Sequence, residues 1–282
     1  MKLIIISGLS GSGKSIALQV LEDLDYYCVD NLPLNMVDIL LNEIPLNKQE
    51  YVAVSIDARN VAAEIENFPE RIKQLEKDNI NCEIFFLEAS DASLIQRFSE
   101  TRRKHPLSSE KIPLNEAVMQ ERVLLEPISS HADLRVDTSA TNVHQLRDLI
   151  KACIDKADDR SISVIFKSFG FKHGVPIDAD FVFDVRCLPN PHWVPELKPL
   201  TGFDNAVIDY LKNNEQVNEM QNDIMTFLEK WLPRFEDDNR SYITIAIGCT
   251  GGQHRSVYLV NALTAIFRRQ HSNVLSIHRE LD

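Results

Sequence analysis

Short apolar runs alternate with stretches of helical period along the first half of the chain. Lys2–Ser7 is a strand-like run, and Ile16–Leu24 after it places its apolar residues at helical spacing. Tyr26–Val29, Tyr51–Ile56, Cys82–Leu87 and Leu134–Asp137 are further strand-like runs. Between them, Pro33–Asn42, Asn60–Asn79, Ala89–Arg97 and Val143–Ala157 predict helices, the second as a helix or a helix with a loop. This alternation predicts an α/β fold over residues 1–157: a doubly wound, mostly parallel sheet with helices on both faces. Asp155–Ser161 is charge-rich and suits a linker. Beyond it, Ile162–Phe166, Phe181–Phe183 and Ser241–Ile247 read as strands and Val257–Arg268 as a helix, so residues 162–282 predict a second α/β domain.

Composition narrows the class. The 282 residues are 44% hydrophobic and 26% charged, the balance of a globular protein with enough chain for two cores. No apolar run approaches the roughly 18 residues of a membrane span. The chain enters a strand at once, which leaves no room for a signal peptide. The five cysteines are scattered and none has CxxC spacing, so neither zinc nor a disulfide framework is expected. A reducing cytoplasm is the expected setting, with no membrane partner. The net charge of −12 argues against general affinity for nucleic acid and leaves only a local patch to supply it.

The first strand runs into Gly8-Leu9-Ser10-Gly11-Ser12-Gly13-Lys14-Ser15, which fits G-x-x-x-x-G-K-[ST] in its strand–turn–helix context. Glycines let backbone N–H groups crowd a phosphate at a helix N-terminus, Lys14 reaches the β/γ-phosphates, and the Ser15 hydroxyl suits Mg²⁺. Asp57-Ala58-Arg59-Asn60 stands at the carboxyl end of the third strand, where open parallel sheets bind ligands. Asp57 is therefore the candidate acidic partner of Mg²⁺. Thr101–Leu107 is basic, and Arg102 and Arg103 could act as the phosphate-neutralising lid of a small-molecule kinase, with Asp30 or Asp57 as base.

A second strand–Gly-rich loop–helix sequence follows at Gly248-Cys249-Thr250-Gly251-Gly252-Gln253-His254-Arg255-Ser256. Loop N–H groups and a guanidinium fork would surround a tetrahedral anion there. The C-x₅-R spacing also matches protein tyrosine phosphatases, with Cys249 as nucleophile, although Gly248 stands where those enzymes usually carry His. Asp184, Arg186, Asn190 and His192 lie after the Phe181–Phe183 strand and would suit the hydroxyls of a phosphorylated sugar. Ser168–Gly174 is an unusual Gly/Phe turn. From Arg240 to Arg279 there is no Asp or Glu. Arg268, Arg269, His271, His278 and Arg279 in this stretch are candidates for a polyanion-binding face.

Taken together, these motifs resemble the RapZ (YhbJ or YvcJ) family of RNase adapter and nucleotide-binding proteins. The resemblance covers nearly the whole chain. It is carried by Gly8–Ser15, Tyr27–Pro33, Val54–Asp57, Thr101–Arg103, His105–Ser108, Ser168–Gly174, Asp184–Trp193 and Ile247–Ser256. It implies an N-terminal domain binding ATP or GTP with Mg²⁺, with Asp57–Asn60 as second nucleotide segment and at most weak hydrolysis. It implies a C-terminal domain that senses glucosamine-6-phosphate through Asp184, His192, Thr250, Gly251, Gly252, His254 and Arg255, with Cys249 in the same loop. That domain would bind a small regulatory RNA through a tail from about Ile266 onward. The RNA would be presented to an endoribonuclease of RNase E type, which controls amino-sugar synthesis. Self-association, as a tetramer, is also implied. One departure is visible: Arg279-Glu280-Leu281-Asp282 stands where RNA-binding members carry a longer Lys/Arg-rich tail.

Overall fold

A computed structural model describes residues 1–43, 51–60, 62–78, 80–154, 162–238 and 240–281. The expected linker at Asp155–Ser161 and the last residues of the helix expected to Ala157 lie outside the described residues. The chain separates into two compact units, Met1–Lys151 and Ala152–Asp282.

The first unit contains strands β1 (Lys2–Gly8), β2 (Tyr27–Val29), β3 (Tyr51–Ser55), β4 (Asn81–Glu88) and β5 (Leu134–Asp137). All pair in parallel in the order β2-β3-β1-β4-β5. Leu3 and Ile5 of β1 point to one face and Ile4 and Ile6 to the other, and all four are 0% exposed. Both faces are therefore covered, as a parallel sheet requires. The helices are α1 (Lys14–Asp23), α2 (Val37–Glu43), α3 (Ala62–Glu66), α4 (Phe68–Lys77), α5 (Asp91–Thr101), α6 (Leu114–Leu124), α7 (Glu126–Ser129) and α8 (Val143–Ile154).

Local chemistry shifts some boundaries from those expected. Pro33 precedes a 3₁₀ turn, Leu34–Met36, and α2 begins only after it. The segment expected as a helix, or a helix with a loop, divides into α3 and α4, with Pro69 in the first turn of the second. Helix α5 starts after Ser90, whose hydroxyl accepts from Ser93 N, and ends at Arg102 in the left-handed region with φ 53°. Helices α6 and α7 add to the elements expected.

The second unit holds β6 (Ser163–Gly170), β7 (Phe181–Asp184), β8 (Tyr242–Cys249) and β9 (Val274–His278), with α9 (Asn205–Lys212), α10 (Glu215–Asp237) and α11 (Arg255–Phe267). Its sheet is parallel in the order β7-β8-β6-β9. Helix α10 buries Val217, Ile224, Leu228 and Leu232 along one stripe, and Asn214 caps its start. Helix α11 is buried almost throughout, which hides the amphipathic period by which a surface helix is recognised. No helix among the described residues is long and apolar enough to cross a membrane.

Gly8, at the end of β1, fixes how the first loop leaves the sheet. Its φ is 137°, and a Cβ there would stand 2.0 Å from the Leu87 carbonyl oxygen of β4. Gly8→Ala therefore combines forbidden backbone geometry with overlap, and should lower unfolding free energy by about 3 kcal/mol or more in urea titration. Wild-type stability would contradict this close approach.

Candidate functional site

At the carboxyl end of β1, Gly8, Gly11 and Gly13 all have positive φ (137°, 88° and 107°), so the loop curls in a way other residues resist. Leu9 N donates to Leu87 O at 3.0 Å and Ser12 N to Leu9 O at 3.1 Å. Lys14 Nζ folds back to donate to Gly8 O at 2.7 Å and Leu9 O at 3.1 Å. Burial pushes the Lys14 ammonium below its ordinary value, against the opposing charges of Glu121 and Asp57. Helix α1 starts with no side-chain cap, and the Ser12 hydroxyl is buried without a hydrogen-bond partner. Ser15 is exposed in the first turn.

Asp57 is 3% exposed. Its carboxylate takes a guanidinium fork from Arg59, with Nε at 3.1 and 3.0 Å and the terminal nitrogen at 2.6 Å. Arg59 N donates to it as well, at 2.9 Å. Burial raises the Asp57 carboxyl, but these bonds and Lys14 outweigh it, so the group sits below its ordinary value and is ionised. Asn60 Oδ1 accepts from Leu34 N at 2.9 Å, which fixes the turn, and Ala58 is buried. These residues fit a polyphosphate: an orphaned hydroxyl and an uncapped helix face it, and Lys14 would balance its charge. Ser15 and Asp57 supply the two hard oxygens that would help hold Mg²⁺, whose other ligands are usually phosphate and water.

The residues that brace this loop were not readable as such in the sequence. Glu121 of α6 is 0% exposed and accepts from Ser10 N at 2.8 Å and Ser10 Oγ at 2.7 Å. His105 Nε2 lies 3.1 Å from the same carboxylate, while His105 Nδ1 accepts from Leu107 N at 3.1 Å. That pattern assigns the proton to Nε2 and makes His105 the donor to Glu121. Arg97 donates to Gly11 O and Thr138 Oγ1, both at 3.0 Å, and Thr138 Oγ1 donates to Ser12 O at 3.0 Å. Arg97 and His105, rather than the exposed Arg102 and Arg103, are the basic side chains of this region that engage the loop or its support. The only signal available was the His105-Pro106-Leu107-Ser108 motif, with nothing to tie it to Ser10.

In the second unit, the loop after β8 wraps around Cys249. Its Sγ accepts from Gly252 N at 3.2 Å and lies 3.2 Å from Ser256 Oγ. The thiol is 2% exposed. Burial raises it, yet the bonds from Ser256 and Gly252 and the charge of Arg255 bring it net below its ordinary value. Arg255 is 4% exposed and donates to Arg186 O at 2.8 Å, Leu188 O at 3.0 Å and Thr250 Oγ1 at 3.3 Å. Its Nε and His254 Nε2 are buried without partners. Burial, with His192 and Arg255, pushes His254 below its ordinary value. The His192 ring stands 6.4 Å from that of His254, and Trp193 beside it is 80% exposed. Asp184 is gripped by an Arg186 fork at 2.7 to 3.0 Å, which holds its carboxyl below the usual range. Gly251 and Gly252 form the bend, with Gly252 at φ 75°. The structure thus brings together the residues expected for a sugar phosphate.

The stretch expected as a basic face separates. Arg268 and Arg269 are exposed past the end of α11, and His271 stacks on Phe267 at 5.6 Å. His278 instead points inward, with Ser168 Oγ 2.9 Å from Nδ1 and Asn261 Oδ1 3.2 Å from Nε2. The Arg279 side chain is 13% exposed and committed to neighbouring groups.

Comparison with known proteins places this geometry in a family. A family model described as RapZ-like N-terminal domain matches residues 1–157, and one described as RapZ C-terminal domain matches residues 162–282. The chain belongs to the RapZ-like family. A nucleotide-binding protein of Nitrosococcus oceani is 57% identical over 282 residues, which is all of both chains. Another, from Marinobacter nauticus, is 52% identical over 285 residues, 100% of this chain and 97% of that one. Among solved structures, shikimate kinase from Bacteroides thetaiotaomicron aligns with TM-score 0.38 and 14% identity, covering 56% of this chain and 98% of that one.

In this RapZ-like chain, burial lowers His278 from 6.5 to about 4. The folded state thus binds fewer protons than the unfolded state between those values. The stability from this group is full above about pH 6.5 and is lost as pH falls toward 4. Because the ring is only half-buried, a loss of about 1–2 kcal/mol between pH 7 and 5 is expected, less than the full displacement would give. Urea titrations of wild type and His278→Asn should differ by that pH-dependent amount, and identical pH profiles would refute it.

Proposed function

We propose that this chain is a regulatory RNA-binding adapter with two phosphate sites. The N-terminal unit binds ATP or GTP with Mg²⁺, at Gly8–Ser15 and Asp57–Asn60. The C-terminal unit senses an amino-sugar phosphate, glucosamine-6-phosphate, and the protein presents a small regulatory RNA to an endoribonuclease, so that amino-sugar supply feeds back on its own synthesis. The setting is cytoplasmic and the assembly a homo-oligomer, as a tetramer.

One observation carries the sensor reading: the buried Arg255 and His254 each keep an unspent nitrogen at a Gly-rich loop. Such atoms lose hydration on burial and regain hydrogen bonds from an anion. The Cys249 thiol supports this reading over phosphatase chemistry. It is 2% exposed and accepts from Gly252 N, and Asp184, held ionised by Arg186, has no proton to give a leaving group as a general acid. In the N-terminal unit, Lys14 would balance phosphate charge while Glu121, Arg97 and Thr138 hold the loop. That arrangement would bind a nucleotide through the loop amides and Lys14.

Two measurements test the reading. Calorimetry should show glucosamine-6-phosphate binding to wild type and none to Arg255→Ala; equal affinities would remove the sensor. For RNA, Arg268→Ala/Arg269→Ala should weaken binding across sequences and lower the log-affinity against log-salt slope by roughly two. Unchanged affinity and slope at moderate salt would exclude these arginines as the contact.

A further inference from the structure

We propose that Arg279 and Glu280 form a clasp that holds the second anion loop in its binding shape, which makes Glu280 a positioning residue for the sugar-phosphate site. The proposal rests on the sensor reading of that site. Strand β9 lies beside β6, so the residues after it emerge at the same edge of the sheet as Gly170 and Cys249. Glu280 Oε2 accepts from Gly170 N at 3.1 Å, and Oε1 accepts from Arg279 Nε at 2.8 Å. Arg279 also donates to Gly170 O at 3.2 Å and Gly174 O at 2.7 Å, and its guanidinium lies 5.4 Å from the Phe169 ring centre. Both side chains are largely buried, at 13% and 10% exposure.

The carboxylate meets the loop at Gly252. A Cβ on Gly252 would stand 2.3 Å from Glu280 Oε2, while the Gly252 N–H points the other way, to Cys249 Sγ at 3.2 Å. Glu280 thus packs directly against the Cα of Gly252, whose N–H is given to Cys249 Sγ, and limits how this part of the loop can shift. Gly170 closes the remaining gap: a Cβ there would lie 2.6 Å from the Gly251 carbonyl carbon. Lys172 N adds a tie to Thr250 O at 3.2 Å. Loop amides bind an anion well only when their directions are set beforehand, and a buried carboxylate with fixed donors is a stiff support.

The test uses the full chain with two probes, glucosamine-6-phosphate and inorganic phosphate, and amide hydrogen exchange. Glu280→Ala leaves Gly170 N–H without its acceptor. Affinity for both probes should fall about tenfold, and exchange at Gly170 and residues 250–253 should quicken. Glu280→Gln, whose amide oxygen still accepts, should stay within about threefold of wild type. Wild-type or tighter binding by Glu280→Ala, or equal weakening in both variants, overturns the clasp. If wild type does not bind glucosamine-6-phosphate, the sensor reading fails on its own. The clasp is then decided by exchange, and unchanged rates in Glu280→Ala overturn it. Should Glu280→Ala not fold, Arg279→Ala is read by the same exchange criterion with the same outcomes.

Discussion

A single buried carboxylate holds the first phosphate loop in place. Glu121 is wholly buried and ionised, and a charge in that position is tolerable only with fixed donors around it. Ser10 supplies two of them, through N at 2.8 Å and Oγ at 2.7 Å, and His105 a third. The dependence runs in both directions. If the loop relaxed, Glu121 would lose its partners. Were Glu121 absent, Ser10 would be free to turn and the neighbouring amides would lose their common direction. The rest of the support follows the same logic, since Arg97 and Thr138 secure Gly11 O and Ser12 O.

The second unit reaches a similar arrangement with different parts. Each unit sends a strand into a Gly-rich bend and then a helix, and each places an Asp-x-Arg fork at the end of the neighbouring strand. In the first unit the fork is Asp57 with Arg59 beside β1, and in the second it is Asp184 with Arg186 beside β8. A bidentate fork across two residues stiffens the strand end and keeps the carboxylate ionised. The interior support differs. Beneath the first loop lies a carboxylate, and beneath the second a thiol that accepts an amide hydrogen bond. Parallel sheets gather such loops at one edge, so both sites arise where the topology concentrates them.

How much of this was legible follows from the range of each interaction. The Gly spacing around Lys14 and Arg255 and the alternation of strands with helices are local patterns, and they located both loops and the α/β class. Glu121 was invisible because its partner Ser10 is 111 residues away and only the fold joins them. Helix α10 carries a buried stripe of helical spacing that only the fold makes evident, and α11 ends at Phe267, one residue before Arg268. The acid-free stretch misled in an instructive way: freedom from acids along the chain does not make a face. Helix α11 is interior and β9 turns His278 inward, so the basic residues do not share one surface. By sequence alone Arg279 reads as a contact for a polyanion, whereas its guanidinium is committed to carbonyls of the neighbouring turn.

The orphaned atoms at the two loops have an energetic consequence. Ser12 Oγ, His254 Nε2 and Arg255 Nε are each buried with nothing to bond. Each such group costs about 1–3 kcal/mol of lost hydration. Packing elsewhere must carry that cost, and on the proposed reading an anion bound at either loop would return it through new charge-assisted bonds. A ligand that binds only the folded state then raises stability in proportion to the logarithm of its concentration above Kd. On that reading occupancy and local order would rise together at both loops, over the buried supports Glu121 in one unit and Cys249 in the other.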